Sequence, residues 1–128
     1  MVNQSGSPYL WVVKSPISSA VALKRETYNL HVIADHCEDK TRALAYPYVR
    51  SVIETPRFIY LDPSHPTHDA VRYIDLIFLP EMQHIQALVV IVERDKEPNE
   101  VATWMVKTNL KQEMVQGGII YDSRANNQ

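Results

Sequence analysis

The stretch LHVIADHC, residues 30 to 37, places His31 and His36 five positions apart, with Asp35 directly before the second histidine. Histidine has the unperturbed side-chain pKa nearest neutrality, so a histidine pair beside a carboxylate can accept and donate protons in catalysis. His31 and Asp35 are four residues apart, and residues at that spacing share a helix face, where the carboxylate could orient the imidazole. A solvated helix face explains the same residues, so both interpretations stay open.

The histidines do not form a metal-binding pattern. On a regular helix, residues five apart point about 140 degrees away from each other, so His31 and His36 cannot hold one ion together. His65 and His68 lie in a loop, and the HExxH spacing of zinc enzymes is absent. The chain also lacks the glycine motifs of phosphate-binding loops. We therefore expect neither a metal nor a cofactor.

Cys37 is the one cysteine in the sequence. A nucleophilic cysteine needs an exposed thiolate, whereas Cys37 falls on the apolar stripe that also contains Leu30 and Ile33. This position favours a small core residue. A single cysteine excludes an internal disulfide and is typical of a reduced compartment, so we expect a cytoplasmic protein.

Two β-like segments carry further candidates. In AVRYIDLIF, strand alternation places Tyr73 on one face and Arg72 on the other. Arg72 could clamp a phosphate, or it could be a charge that protects a strand edge. In VATWMVK, the hydroxyl of Thr103 could satisfy a backbone group or donate to a transition state. Trp104 could stack on a base or belong to the core.

The composition limits the function classes. The 128 residues carry a formal charge of -2, so the chain lacks the basic surplus of a protein that binds nucleic acid non-specifically. Any phosphate binding must be local. The longest apolar run, residues 87 to 92, is about a third of a membrane-spanning helix, and the N-terminus does not resemble an export signal.

Hydrophobic periodicity predicts the elements that position these residues. Thr27 could cap a helix over residues 27 to 37, and Pro47 could start a second helix over residues 47 to 54. The segment ISSAVALKRE fits neither the helical nor the strand period cleanly. RDKEPNE joins two strong β runs as a hairpin, and a short helix and a final strand could follow in QEMVQGGIIYD. The predicted strands are YLWVVK, RFIYLD, AVRYIDLIFL, QALVVIVER and EVATWMVKT.

This pattern predicts an α+β fold, with N-terminal helices packed on a four- to five-stranded antiparallel sheet whose other face is open for a site. The continuous run Leu88 to Val92 predicts the central strand. We expect one domain over residues 9–123, with flexible ends at residues 1–8 and 124–128.

The order of the segments resembles the phage-type nuclease domains of the barnase, EndoU, colicin and RelE-like fold. The resemblance spans Trp11 to Tyr121 and rests on five short motifs: HVIADH at 31 to 36, PYVRSVIETP at 47 to 56, RYI at 72 to 74, ALVVIV at 87 to 92 and VATW at 101 to 104. Asp35 stands where that family commonly has arginine, and Trp104 replaces a small residue.

The resemblance implies a small, metal-independent ribonuclease that is either toxin-like or associated with phages or other mobile elements. It implies that His31 and His36 act as acid and base, that Arg72 clamps the phosphate and that Thr103 donates to the transition state. Substrate contacts would come from Asp35, Tyr73 and Trp104. The expected partners are an RNA substrate and a neutralising immunity or antitoxin protein.

The alternative function is a catalytically inactive binding or regulatory module on the same scaffold, which the net acidity and Asp35 favour. The two functions differ in one geometric requirement. A nuclease needs His31 or His36 to lie in one cleft with Arg72 and Thr103. The sequence leaves the RNA target and the oligomeric state open.

Overall fold

The computed structural model describes residues 7–34, 40–62, 69–114 and 118–125. Within these residues, seven strands form one mixed sheet in the order β1-β2-β6-β5-β4-β3-β7. The strands are β1 (Tyr9–Ser15), β2 (Ser18–Lys24), β3 (Phe58–Leu61), β4 (Ala70–Leu79), β5 (His84–Glu93), β6 (Asn99–Lys107) and β7 (Ile119–Asp122).

The first two strands form an antiparallel hairpin around the turn at Pro16. The segment ISSAVALKRE, which fits neither period cleanly, supplies β2. Its residues Val21 to Leu23 are completely buried, and a strand that is covered on both faces has such a continuous apolar run. β2 then lies parallel to β6, although it pairs only with Asn99 and Glu100 at the start of that strand.

The helical part differs from the prediction. α1 (Arg25–Tyr28) leads directly into a π-helical segment (Asn29–Ala34), so the predicted cap at Thr27 lies inside α1. α2 (Lys40–Glu54) starts seven residues before Pro47, which therefore lies inside the helix although proline lacks an N–H donor. The buried face of α2, formed by Ala45, Val49, Val52 and Ile53, holds the helix on the sheet.

The central strand is predicted correctly. β5 occupies the middle of the sheet, with antiparallel neighbours on both sides. The β5–β6 hairpin is also confirmed, and the last predicted segment forms α3 (Leu110–Glu113) and β7. Continuous apolar sequence marks β5 because both of its faces are covered.

The two faces of the sheet carry separate cores. On the α2 face, side chains such as Val71, Val90 and Trp104 pack against the helix. On the opposite side, here called the α3 face, Leu110 and Met114 pack on a smaller cluster. That cluster contains Phe58, Tyr60, Ala70, Ile74, Val89 and Ile91.

The predicted fold class, N-terminal helices on a four- to five-stranded antiparallel sheet, is therefore wrong. The chain begins with a β-hairpin, its one long helix lies in the middle of the chain, and the sheet includes a parallel junction between β2 and β6. Pairing of β2 with the start of β6 adds the hairpin to the sheet. None of the described helices has the length and apolar character that crossing a bilayer requires.

Candidate functional site

His31 lies in the π-helical segment and reaches the backbone of β6. Its Nε2 atom is 3.2 Å from the carbonyl oxygen of Ala102, and its ring packs edge-on against Trp104 with a centroid distance of 5.5 Å. The side chain is partly buried. The contacts with the Ala102 carbonyl and the Trp104 ring thus position His31 at β6.

Arg42, in the first turn of α2, approaches the same strand. Its Nε donates to the carbonyl oxygen of Trp104 at 3.0 Å, and the indole Nε1 of Trp104 donates to the Arg42 carbonyl oxygen at 2.9 Å. This reciprocal pair locks the start of α2 to the strand. His31 and Arg42 consequently contact carbonyl groups only two residues apart.

Among the described residues, most of β6 has a strand partner on one side only, and this explains why His31 and Arg42 meet there. β2 pairs with Asn99 and Glu100 and then diverges, so residues 102 to 104 have a strand neighbour on the β5 side alone within the described chain. An uncovered strand edge presents backbone groups that need hydrogen-bond partners. His31 and Arg42 supply two of those partners.

Aromatic side chains form the base of this site. Tyr46 accepts a hydrogen bond from the indole N–H of Trp11 at 3.0 Å, packs edge-on against Tyr28 and lies 5.8 Å from the Trp104 ring. Trp104 has no exposed surface. In this structure it supports the site from below and cannot stack on a nucleotide base.

The contact to a carbonyl determines which nitrogen of His31 can exchange a proton. A carbonyl oxygen only accepts, so Nε2 must carry hydrogen to bond it. In the neutral imidazole the lone pair then belongs to Nδ1, and in the charged form Nδ1 also carries a proton. The contact therefore fixes the orientation of the imidazole ring at β6.

Arg72 lies on the α3 face, away from this site. Its Nε donates to Asp62 at 3.1 Å and its Nη1 donates to Glu113 at 3.1 Å, with the arginine side chain only 17% exposed. Asp62 is buried. Two carboxylates therefore already accept hydrogen bonds from the guanidinium N–H groups that would bind a phosphate.

Thr103 also belongs to the α3 face, where it pairs with Ile91 and Ile91 pairs with Arg72. Arg72 and Thr103 are therefore two strands apart, about 10 Å by the usual strand spacing. The hydroxyl of Thr103 is buried and has no hydrogen-bond partner within the described residues. It is near the His31 site along the chain but on the other side of the sheet.

Tyr73 points into the α2 face, where its hydroxyl donates to the Ser15 hydroxyl at 2.6 Å. It is fully buried, and burial raises the pKa of its phenol above the ordinary value. Tyr73 therefore has no surface with which to contact a substrate in this structure.

The required convergence is not observed among the described candidates. His31 and Trp104 meet on the α2 side of β6, whereas Arg72 and Thr103 share the α3 face. Asp35, His36, Cys37, His65 and His68 lie outside the described residues. No group of three or more His, Cys, Asp or Glu side chains that could hold a metal is found within residues 7–34, 40–62, 69–114 and 118–125.

Sequence reasoning did not identify Arg42. In KTRALAYP it is one of two basic residues, and no local pattern separates it from Lys40. Its role depends on the uncovered edge of β6, some 60 residues later in the chain, and only the folded chain brings the two together. The segment ISSAVALKRE was the available signal, because a β2 that pairs with only the start of β6 creates that edge.

No protein-family model matches the chain, and comparison with curated proteins and with solved structures gave no significant match.

Proposed function

We propose that the chain is a metal-independent endoribonuclease in which His31 exchanges protons with the substrate and Arg42 binds the reacting phosphate. The observation that carries this proposal is the approach of both side chains to one short, uncovered stretch of β6. The sequence resemblance supports it, because that resemblance includes the same histidine helix. An RNA substrate would place this activity in the cytoplasm.

The reaction needs no external nucleophile or metal. The 2′-hydroxyl of RNA gives its proton to Nδ1 of His31, its oxygen bonds to phosphorus, and the bond from phosphorus to the 5′-oxygen breaks. The leaving oxygen takes a proton from a second group, and we propose His36, the other candidate histidine, for this role. The products are a 2′,3′-cyclic phosphate end and a 5′-hydroxyl end.

Arg42 replaces Arg72 as the phosphate ligand in this scheme. The hydrogen bond from its Nε to the Trp104 carbonyl orients the planar guanidinium beside His31, and a planar guanidinium is the group best suited to bind a phosphate. Donors aimed at the oxygens where charge develops stabilise the transition state. Arg72, engaged by Asp62 and Glu113, acts as a structural residue.

The test is cleavage of a fluorescently labelled, mixed-sequence RNA by the purified protein in the presence of EDTA. We expect cleavage that yields cyclic phosphate ends, and no cleavage of the same sequence with 2′-O-methyl groups, because that substrate lacks the nucleophile. His31→Ala should lower kcat by about a hundredfold, the usual contribution of one positioned acid or base.

His31→Gln provides the matched control. A glutamine amide can still donate to the Ala102 carbonyl but cannot exchange a proton. If His31 acts chemically, both variants lose activity while circular dichroism shows a folded protein. Full activity of His31→Gln would show that the histidine only covers the strand edge.

The second candidate is a non-catalytic binding or regulatory module. One observation favours it: Arg72, Tyr73 and Trp104, three of the residues expected at the substrate, are part of the packed interior. A wild-type protein that cleaves no RNA under any tested condition would support this function. In either case a neutralising or regulatory protein is a proposed partner, which co-purification from the native host would test.

A further inference from the structure

A cavity of about 420 Å³ opens where the carboxyl end of α2 meets the start of β3 and the end of β7. Its wall combines two guanidinium groups, three hydroxyl groups, two carboxylates and a proline. The lining residues are Glu54, Thr55, Pro56, Arg57, Asp75, Tyr121, Ser123 and Arg124. We call it the Arg57/Arg124 cavity.

Arg57 is fixed in place by both its backbone and its side chain. Its N–H donates to Ile74 at 2.9 Å and its carbonyl accepts from the Ser123 N–H at 3.0 Å. The side-chain Nε donates to Asp75 at 3.3 Å. The two terminal amino groups, with four N–H donors, have no hydrogen-bond partner within the described residues.

Arg124 is held by a fork on Asp122. Nε and Nη2 donate to the two carboxylate oxygens at 3.1 and 2.8 Å, and the guanidinium carbon lies 5.1 Å from the centre of the Phe58 ring. These hydrogen bonds lower the pKa of the Asp122 carboxyl. The remaining amino group of Arg124 is pre-oriented without a partner among the described residues.

The acceptors of the cavity are more fully used than its donors. The Asp75 oxygen that accepts from Arg57 also accepts the backbone N–H of Leu76 at 2.7 Å, and Glu54 pairs with Arg50 at 3.7 Å. The charges around the cavity balance, and the Thr55 hydroxyl already donates to the Ser51 carbonyl oxygen at 3.0 Å, so the terminal N–H donors of Arg57 and Arg124 must supply the selectivity. Uncommitted donors of this kind complement an oxoanion, whose oxygens only accept.

A line of side chains on α2 connects this cavity to the His31 site. Arg42, Tyr46, Arg50 and Glu54 follow one another at intervals of four, so each lies next to the previous one along one flank of the helix. Twelve residues of α-helix span about 18 Å. A stacked single strand covers that distance with about five nucleotides at 3.4 Å each.

We propose that the Arg57/Arg124 cavity is a second phosphate-binding subsite, which holds the backbone of single-stranded RNA that runs along α2 from the His31 site. The inference rests on the proposed ribonuclease function for the identity of its ligand. It assigns the cavity to binding and not to chemistry. Its predicted effect is tighter binding of RNA that is long enough to span both sites.

The first experiment measures binding without cleavage. Fluorescence anisotropy with a 2′-O-methyl RNA ten-mer should show about tenfold weaker binding by the double variant Arg57→Gln/Arg124→Gln than by wild type, a loss of about 1.4 kcal/mol. Arg94→Gln is the matched control, because Arg94 forms a similar pair with Asp69 outside the cavity. We expect the control to bind within twofold of wild type.

Two further arms separate the possible ligands. Inorganic phosphate should shift the side-chain NMR signals of Arg57 and Arg124, and the ten-mer should displace it. In cleavage assays the advantage in kcat/KM of a ten-mer over a dinucleotide should fall about tenfold in the double variant. Phosphate binding without displacement by RNA would identify a site for free phosphate and overturn the proposal.

The outcomes distinguish this proposal from the proposed function. If wild type binds the ten-mer through the cavity but cleaves no RNA, the nuclease assignment fails and the subsite stands. If wild type cleaves RNA and the double variant binds and cleaves the ten-mer as well as Arg94→Gln does, the subsite is excluded and the nuclease assignment stands. Circular dichroism and thermal unfolding of the double variant check that it is folded.

Discussion

Arg42 and Arg72 show how differently two arginines of one chain are placed. Arg42 lies at the start of α2 and donates to a backbone carbonyl on the uncovered part of β6. Arg72 lies in the middle of β4 and donates to two carboxylates under α3. Both arginines are partly buried, but the structure shows Arg42 on a backbone carbonyl and Arg72 between two carboxylates.

That difference decides what each residue can do. The contact with the Trp104 carbonyl orients the guanidinium of Arg42 at the uncovered stretch of β6. Asp62 and Glu113 cancel the charge of Arg72 and occupy its fork, which leaves a structural ion cluster that pins α3 to the sheet. Whether a guanidinium is a candidate phosphate ligand therefore depends on the contacts that it makes, and its position in a strand motif does not decide this.

The largest expected effect comes from breaking the Arg72 cluster. Arg72→Ala removes the guanidinium that pairs with the buried Asp62 carboxylate, and removal of one partner of a buried ion pair destabilises proteins by about 3–5 kcal/mol. Urea unfolding followed by tryptophan fluorescence measures the loss. Arg94→Ala, which breaks the more exposed pair with Asp69, should change stability by less than about 1 kcal/mol.

If Arg72→Ala does not fold, Glu113→Gln tests the same cluster more gently. This variant keeps a side chain that can accept from Arg72 and keeps the Asp62 pair intact, so a smaller loss of stability is expected. Unchanged stability in both Arg72→Ala and Glu113→Gln would show that the cluster does not hold α3, and Arg72 would return as a candidate ligand.

Local pattern predicts the strands of this protein well and the assembly poorly. The continuous apolar run of β5 and the turn residues between β5 and β6 are sufficient to place the sheet centre and its hairpin. The segment ISSAVALKRE fits neither period cleanly, so the place of the first hairpin in the sheet depends on pairing with Asn99 and Glu100 far along the chain. Tertiary pairing of this kind has no local signal.

The candidate site, like the fold, could be predicted only in part from the sequence. The LHVIADHC stretch identifies His31 from residue type alone. Alternation along β4 correctly separates Tyr73 from Arg72, but it cannot show that Asp62 and Glu113 will neutralise the arginine. Arg42 gains its role only because β2 diverges from β6 and leaves Ala102 and Trp104 carbonyls to side chains.

The second prediction concerns Arg42 itself. Arg42→Ala should lower kcat/KM for RNA by about a hundredfold, since loss of one transition-state donor has effects of this size. Arg42→Lys keeps the charge but not the planar fork, so activity should stay at least about tenfold below wild type. Steady-state kinetics with the labelled RNA and EDTA measure both.

The comparison of the two arginines provides the control for this experiment. A folded Glu113→Gln variant should cleave RNA at the wild-type rate, because the Arg72 cluster lies on the other side of the sheet from His31. Loss of activity in Glu113→Gln with retained activity in Arg42→Ala would reverse the roles assigned to the two arginines.

The smallest predicted effect tests whether Tyr73 belongs to the interior. At pH 8, Tyr73→Phe should reduce stability by about 1 kcal/mol, the usual net value of the lost hydrogen bond to Ser15. Burial raises the pKa of Tyr73 in the folded state, whereas in the unfolded chain the phenol ionises near its ordinary value of 10.0. Its contribution to stability is fully present below pH 10 and is lost as the pH rises through the higher folded pKa.

The stability advantage of wild type over Tyr73→Phe should therefore shrink above pH 10. The pKa of Tyr60 is also raised by burial, but Tyr60 is present in both proteins and its effect cancels in the difference. Urea unfolding of the two proteins between pH 8 and 11 measures this difference, and a constant value across the range would mean that Tyr73 ionises as an exposed phenol does.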